Sequence, residues 1–421
     1  MALALQGIRI LDLSRIWAGP YGTKLLADMG ADIIKVESIN RMDTTRGALR
    51  PPPGSGNYPE GEPGEDPWNR NGWFNSLHMG KYGITIDLGT QKGKELFSHL
   101  VAISDAVIEN FSLGVLARLG FDYETLRSLR PDIIVISMPA FGNKGPWKGF
   151  VQYGIGQEQL AGMADMTGYL DEDAPMKSGI NHGDPITGSH AAGALLASLL
   201  YRRRTGKGVF VDLSQLDSSI SLIGDSILGF EMTGRNPERR GNRHSYMAPH
   251  GIYRCIGEDE WVAIAVGSDA EWQKLCEVIQ KPELGQDPRF ADMLNRWKHQ
   301  NELDPILEIW AKDKSSYEIM DTLQNVGIAA TPVESAEMIF DDPHYQEREL
   351  MELVDHPSTG PHFMPGISWK MSKTPGAFRW PTPRLGEHNE EIFSELIGLK
   401  DEELDQLEAE GVIGKVPTQA E

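Results

Sequence analysis

Cysteine is almost missing from this chain: Cys255 and Cys276 are the only two among 421 residues. Neither stands in a cluster of metal-type ligands, so the sequence offers no metal site and no disulfide framework, and both thiols read as reduced core residues. Positive charge is scarce as well. With 40 Lys and Arg against 61 Asp and Glu, the formal net charge is −21, which argues against nucleic acid or an anionic membrane as partner. Any polyanionic ligand must then be held by a few local basic residues against the overall field. No apolar run approaches the length of a membrane span, and the opening MALALQGIRILDL lacks the charged start and long apolar run of a secretory signal, so a cytoplasmic location is expected. The dinucleotide-binding pattern G-x-G-x-x-G is absent. Gly154-Ile155-Gly156 is too short a match, and the run from Gly89 to Lys94 is one residue short of a phosphate-binding loop, so neither NAD nor a nucleoside triphosphate is indicated.

What is present is an ordinary globular composition, 40% hydrophobic and 24% charged, long enough for two domains. Ile8 to Leu13 alternates as a strand, Lys24 to Met29 reads as a short helix stopped by Gly30, and Asp32 to Glu37 as a second strand. Strand and helix continue to alternate through Ile84 to Leu88, Lys92 to Ile103, Asp105 to Glu109, Asp132 to Met138 and Val209 to Leu213, which predicts a mostly parallel sheet with helices on both faces. Trp17 and Asn110 each follow a strand and therefore share the rim where ligands gather in such sheets. The stretch Arg50 to Pro67, rich in Pro, Gly and acidic residues, reads as an exposed loop. Residues 1–228 are expected to form the first part of a large domain and 229–335 a small α+β unit. Residues 336–421, with no core of their own, are expected to return to the large domain.

Chemistry is expected in the segment 178–193. Asp184 precedes Pro185, a pairing that suits an N-cap and the first position of a helix. Ala191, Leu195, Leu196, Leu199 and Leu200 follow with helical spacing, and Arg202, Arg203 and Arg204 before Gly206 suit its negative end. The Asp184 carboxylate is thus expected at the positive end of a helix. Gly183 and Gly188 would let a ligand approach the backbone, where spare N–H groups could hold an anionic intermediate. Asp is also among the commonest purely structural caps.

Several blocks resemble one family. LQGIRILDLS (5–14) with AGP (18–20), LADMGADIIKVE (26–37), ENF (109–111) with RLGF (118–121), RRTGKG (203–208) with VDLS (211–214), PEL (282–284) with DPRF (287–290), and RLGEH (384–388) are similar, in the same order, to the class III CoA-transferases, the family of formyl-CoA transferase and carnitine CoA-transferase. The resemblance implies an α/β fold, with a Rossmann-like, open, mostly parallel sheet formed by both chain ends, a smaller inserted α+β domain, and two subunits interlocked as a dimer. It implies Asp184 as the catalytic nucleophile. It places Ile16, Lys81, Asn110 and Arg118 at the coenzyme A site and matches Tyr153 to an active-site tyrosine; Trp17, His182, Gly183 and Gly188 are then expected around the acyl group. Coenzyme A thioester would be a substrate, with no cofactor bound permanently.

The implied reaction moves CoA between two carboxylic acids through an aspartyl anhydride and an aspartyl-CoA thioester. The family also contains α-methylacyl-CoA racemases, but their histidine falls at Tyr153, whose reference pKa of about 10 makes a poor base. A third reading is one subunit of a heteromeric transferase. Trp17 stands where formyl-CoA transferase has a glutamine, and Arg243 to Met247 replaces its tetraglycine loop. Both departures predict an acid larger than formate or oxalate, aryl-bearing or dicarboxylic, with benzylsuccinate as one such acid and succinyl-CoA as donor. The block at Arg384 to His388 reads as a structural turn.

Overall fold

The structure, a computed structural model, describes residues 2–169 and 174–418. Six strands, β1 Arg9–Asp12, β2 Asp32–Glu37, β3 Tyr82–Thr85, β4 Ala106–Glu109, β5 Ile134–Ser137 and β6 Val209–Asp212, pair in parallel in the order β3-β2-β1-β4-β5-β6. Leu11 sits in register with Ile34 on one side and Val107 on the other. The inner strands β4 and β5 are buried along their whole length, which is why they read as unbroken apolar runs.

Successive side chains along a strand face opposite ways, and that alternation builds two cores. Ile10, Ile33, Ile108, Ile134 and Ile136 pack under the helices Ala18–Asp28 and Gly183–Thr205 with Leu26, Ala191 and Leu195. Leu11, Ile34, Val107 and Val135 point to the other face, against Phe97 and Leu100 of the helix Gln91–Ala102. The C-terminal segment joins that second core through Ile392, Phe393, Leu404 and Leu407. Each such side chain stabilises by about 1.5–3 kcal/mol on full burial, enough to dock a segment that has no core of its own.

One expectation needs correcting. The parallel sheet is not formed by both chain ends: its strands all lie between Arg9 and Asp212, and the C-terminal segment adds helices. The late strands β10 Met351–His356 and β11 Gly360–Pro365 pair only with each other, antiparallel. The third strand also begins and ends earlier than its apolar run suggests, and beyond its end Asp87 donates to the Val412 carbonyl of the C-terminal segment instead of continuing the ladder.

The chain separates into two compact units, one of residues 1–163, 177–228 and 347–421, the other of 164–176 and 229–346. The smaller unit holds an antiparallel sheet of β7 His250–Arg254, β8 Trp261–Ala265 and β9 Ala329–Pro332. Its core contains Trp272, Phe290 and both free cysteines, whose thiols burial pushes up to about 11 at Cys255 and about 12 at Cys276. Residues 164–176 and 336–346 belong to this unit by their contacts, so its limits differ from a single insertion at 229–335. No helix among the described residues is long and apolar enough to cross a membrane.

Candidate active site

Asp184 is not the cap of its own helix. The helix begins at Gly183 with His182 in the cap position, and Asp184 is its second residue. Pro185 suits a first turn generally, and here the turn starts one residue earlier than the proline alone implies. The freed side chain turns instead to the neighbouring helix, where it faces the backbone N–H of Ala18, first residue of Ala18–Asp28, whose field favours the ionised carboxylate. Two helix N-termini therefore face one carboxylate, each adding positive potential.

This meeting depends on glycines. A Cβ on Gly188 would lie 2.4 Å from the Ala18 carbonyl oxygen, and one on Gly22 would lie 2.5 Å from the Gly188 carbonyl oxygen. Gly188 thus serves a close helix contact one turn beyond Asp184, and its backbone is not open to a ligand, contrary to expectation. Gly183 packs on the Gln157 side chain, 2.1 Å from Oε1 for a built Cβ, and is buried likewise.

On its far side the carboxylate lies against Gly154, first residue of the helix Gly154–Leu160; a Cβ there would stand 2.2 Å from Oδ2. Tyr153 precedes it and is 68% exposed, and Trp17, in the cap position before Ala18, is half-buried. Trp17, Tyr153, His182 and Asp184 are therefore brought together by chain adjacency to the three residues around the carboxylate. Asp184 itself is 7% exposed. Burial pushes its carboxyl up to about 6, opposed by the Ala18 N–H and reinforced by the nearby Glu158 carboxylate. No cation is paired with it among the described residues.

Sequence reasoning missed Glu158. Buried on the helix that starts at Gly154, it accepts from Ser178 Oγ at 3.0 Å and from the His182 N–H at 2.7 Å, with His182 Nδ1 at 3.4 Å. It also missed Gly154, although a Gly beside a tyrosine was the available signal of close backbone approach. Gln152, Gln157 and Asn181 around this corner carry buried amide atoms without a partner, which is unspent hydrogen-bonding capacity beside Asp184.

The carboxyl ends of the strands hold a cavity of about 380 Å³, within the range of ligand sites, lined by Leu13, Arg15, Ile16, Arg41, Asn110 and Phe111 among others. It sits at the point where the strand order reverses between β1 and β4. Of the four residues expected at coenzyme A, Ile16 and Asn110 line it, while Arg118 is exposed on the short helix Val115–Arg118 beside it. Arg15 and Arg41, which sequence reading passed over, supply the positive charge at this cavity.

Lys81 is elsewhere. It is wholly buried, its ammonium donating to Thr23 Oγ1 at 2.8 Å, the Pro20 carbonyl at 3.0 Å and Asp12 at 3.2 Å. Burial lowers it to about 8 while Asp12 opposes the fall. Its place is beneath the opening helix, where it holds Asp12 rather than reaching the cavity. The Arg384–His388 block is a turn: the Arg384 N–H donates to Glu387 at 2.7 Å, and His388 and Gly83 bond each other.

A buried, unpaired, ionisable carboxylate at two helix N-termini, joined by the loop before Ala18 to a cavity at the sheet's switch point that Arg15 and Arg41 line together with Glu37 and Asp87, suits covalent acyl transfer with a nucleotide-bearing thiol. Comparison with known proteins agrees with that chemistry. The family model described as CoA-transferase family III matches residues 5–389. A succinyl-CoA–D-citramalate CoA-transferase of Chloroflexus aurantiacus is 34% identical, covering 97% of this chain and 98% of its own. A succinate–glutarate CoA-transferase of Agrobacterium fabrum is 33% identical over 93% and 95%, and a formyl-CoA:oxalate CoA-transferase of Streptomyces coelicolor 31% over 98% and 100%. A crystal structure of a CAIB/BAIF family protein from Brucella suis superposes with a TM-score of 0.83 at 32% identity, covering 94% of this chain and all of that one. The chain belongs to CoA-transferase family III: it is an enzyme whose substrates are CoA thioesters.

Proposed function

We propose that this enzyme transfers CoA from succinyl-CoA to a second dicarboxylic acid, with Asp184 as nucleophile. The observation that carries the mechanism is the Asp184 carboxylate itself, buried, free of a cation, and raised to about 6. A paired carboxylate would be spent; this one is ionised at neutral pH and basic for its kind, both of which favour attack.

An Asp184 oxygen adds to the thioester carbonyl, and the carbon–sulfur bond breaks to give CoA thiolate and a succinyl–aspartyl anhydride. The thiolate then adds to the Asp184 carbonyl carbon, releasing succinate and leaving an aspartyl-CoA thioester. The acceptor carboxylate displaces the thiolate from that carbon, and the thiolate adds to the acceptor's acyl carbon, freeing Asp184. Every tetrahedral step places an oxyanion at this carboxyl or the acyl carbon beside it. The Ala18 N–H, which faces this carboxyl, is the donor proposed there, and loss of one such donor typically lowers the rate by about 10²–10³.

Support for a dicarboxylic acceptor comes from the relatives, whose names give citramalate, glutarate and mesaconate. Trp17 beside the nucleophile favours an acid bulkier than oxalate, whereas Tyr246 and Met247 lie in the other unit. Arg15, Arg41 and Ile16 are proposed at the CoA end. Dimerisation completes the proposal. The larger unit exposes Leu196, Leu200 and Tyr201 on the long helix and Phe210 on the edge strand β6, an apolar surface of the kind that a second subunit covers.

The test is chemical. Incubation with succinyl-CoA followed by hydroxylamine should convert Asp184 alone to a hydroxamate, located by mass spectrometry, and Asp184→Ala should abolish both adduct and turnover. Near-normal transfer by Asp184→Ala would sink the mechanism, and transfer to aryl but not aliphatic dicarboxylic acids would overturn the substrate class. Sedimentation at the monomer mass would sink the dimer.

A further inference from the structure

The loop between β1 and the opening helix joins the cavity to the nucleophile in four residues, Ser14 to Trp17, and it is held in an unusual shape. Ile16 has φ 69°, the left-handed region that a β-branched residue avoids. Such a conformation persists only where surrounding contacts over-determine it, and strained residues of this kind cluster at working sites.

Those contacts fall on Ser14, Arg15 and Ile16. The Asn110 side chain bonds both ends of Arg15: its Oδ1 accepts from the Arg15 N–H at 2.7 Å and its Nδ2 donates to the Arg15 carbonyl at 2.7 Å. Asp43 Oδ1 accepts from the Ile16 N–H at 3.3 Å. The Ser14 carbonyl accepts from Lys35, which is buried and paired with Asp43 at 3.1 Å, and the Ser14 N–H donates to Asp12 at 3.0 Å. Immediately beyond Ile16 come Trp17 and the Ala18 N–H that faces Asp184.

Resting on the proposed role of Asp184, we infer that Asn110 is a positioning residue. Its two-sided clamp on the Arg15 backbone holds Ile16 left-handed, and so aims the Ala18 N–H at the nucleophile. This differs from a direct contact with CoA, since both hydrogen-bonding ends of the amide are already committed to Arg15. Asp43 shares the work, but it also supports Lys35, which makes its deletion a blunter probe.

A glycine at position 16 adopts positive φ at no steric cost. Asn110→Ala should therefore lower kcat about 10²-fold by loss of the aimed donor, with formation of the Asp184 hydroxamate slowed in proportion. The double variant Asn110→Ala/Ile16→Gly should recover at least about tenfold, because the loop no longer needs the clamp to hold its shape. Ile16→Gly alone is the reference against which that recovery is read. A direct ligand contact predicts the reverse: KM for succinyl-CoA rises, kcat holds, and a glycine nearby restores nothing. That pattern would overturn the inference, as would full activity in Asn110→Ala. The hydroxamate on Asp184 in the unmodified enzyme separates the two levels. If it forms while rescue fails, the mechanism stands and the clamp falls; if it never forms, the underlying reading falls first.

Discussion

Gly22 and Gly188 touch backbone to backbone, with 2.5 Å between a Cβ built on the first and the carbonyl oxygen of the second. One turn earlier on each helix stand Ala18 and Asp184, the donor and the carboxylate of the site. Helix contact and active-site geometry are therefore one feature. Gly188→Ala gains up to about 1 kcal/mol in helix propensity, but the methyl meets main-chain atoms that cannot rotate away, and overpacking of this kind costs about 1–3 kcal/mol. The second effect should win. A lower melting temperature together with turnover reduced about 10²-fold is the expected result, read by calorimetry and steady-state kinetics.

Gly154→Ala probes the other wall. Its methyl would fall 2.2 Å from Asp184 Oδ2, so the carboxylate must move or be shielded. Because Gly154 opens a helix and its φ is not positive, the fold should tolerate alanine. The expected outcome is an intact melting temperature with hydroxamate formation on Asp184 reduced at least about 10²-fold, since small displacements at a reacting centre have effects of that size.

The raised Asp184 carboxyl is also a statement about stability. Its value is about 6 when folded against an ordinary 3.8. A raised value contributes stability fully present below about pH 4 and lost as pH rises through 6, where the buried group must ionise. About two units correspond to roughly 3 kcal/mol. Asp184→Asn keeps an acceptor for the Ala18 N–H and removes the charge, so it should be inactive yet more stable than the parent at pH 8, with the difference vanishing near pH 4. Melting curves across that range decide it; an asparagine variant less stable at pH 8 would contradict the burial argument.

Activity should follow the same group in the opposite sense, for the proposed mechanism takes the ionised form as nucleophile. The acid limb of kcat/KM should bend near pH 6. Glu158 contributes to that position through its negative charge, and His182, held against it, is the other titratable side chain at this corner. Glu158→Gln keeps an oxygen for Ser178 and the His182 N–H, so the loop should stay in place while the limb moves to lower pH. An unmoved limb would mean that Glu158 serves only the loop.

Lys81 separates a structural cation from a ligand-binding one. Removing one partner of a buried ion pair typically costs about 3–5 kcal/mol, and Asp12 would be left with the shared burden on Lys35. Lys81→Met should lower the melting temperature markedly, with KM for succinyl-CoA unchanged in whatever enzyme remains folded. A stable variant with a raised KM would return Lys81 to the coenzyme A site.

Much of this molecule could be read without coordinates. Alternating strand and helix over the first 212 residues required a parallel sheet, because each short apolar run must be covered on both faces. Asp184 before a proline and a helical repeat placed a carboxylate at a helix start, and the ordered blocks named the family. Covalent neighbours carried Trp17, Tyr153 and His182 along with the residues that form the site.

Other features depend on contacts between distant segments, and no local pattern encodes those. Whether Asp184 caps its own helix or reaches Ala18 is decided by the Gly22–Gly188 approach, between residues 166 positions apart. The family resemblance puts Lys81 and Asn110 together at coenzyme A, yet burial ties Lys81 to Asp12, while Asn110 lines the cavity with its amide bonded to the Arg15 backbone. The sequence by itself determined which residue types were available and roughly which edge of the sheet they would share. Only the tertiary structure decided which of them remain free to act, because a polar group taken out of water must find a partner, and the partner found is set by packing.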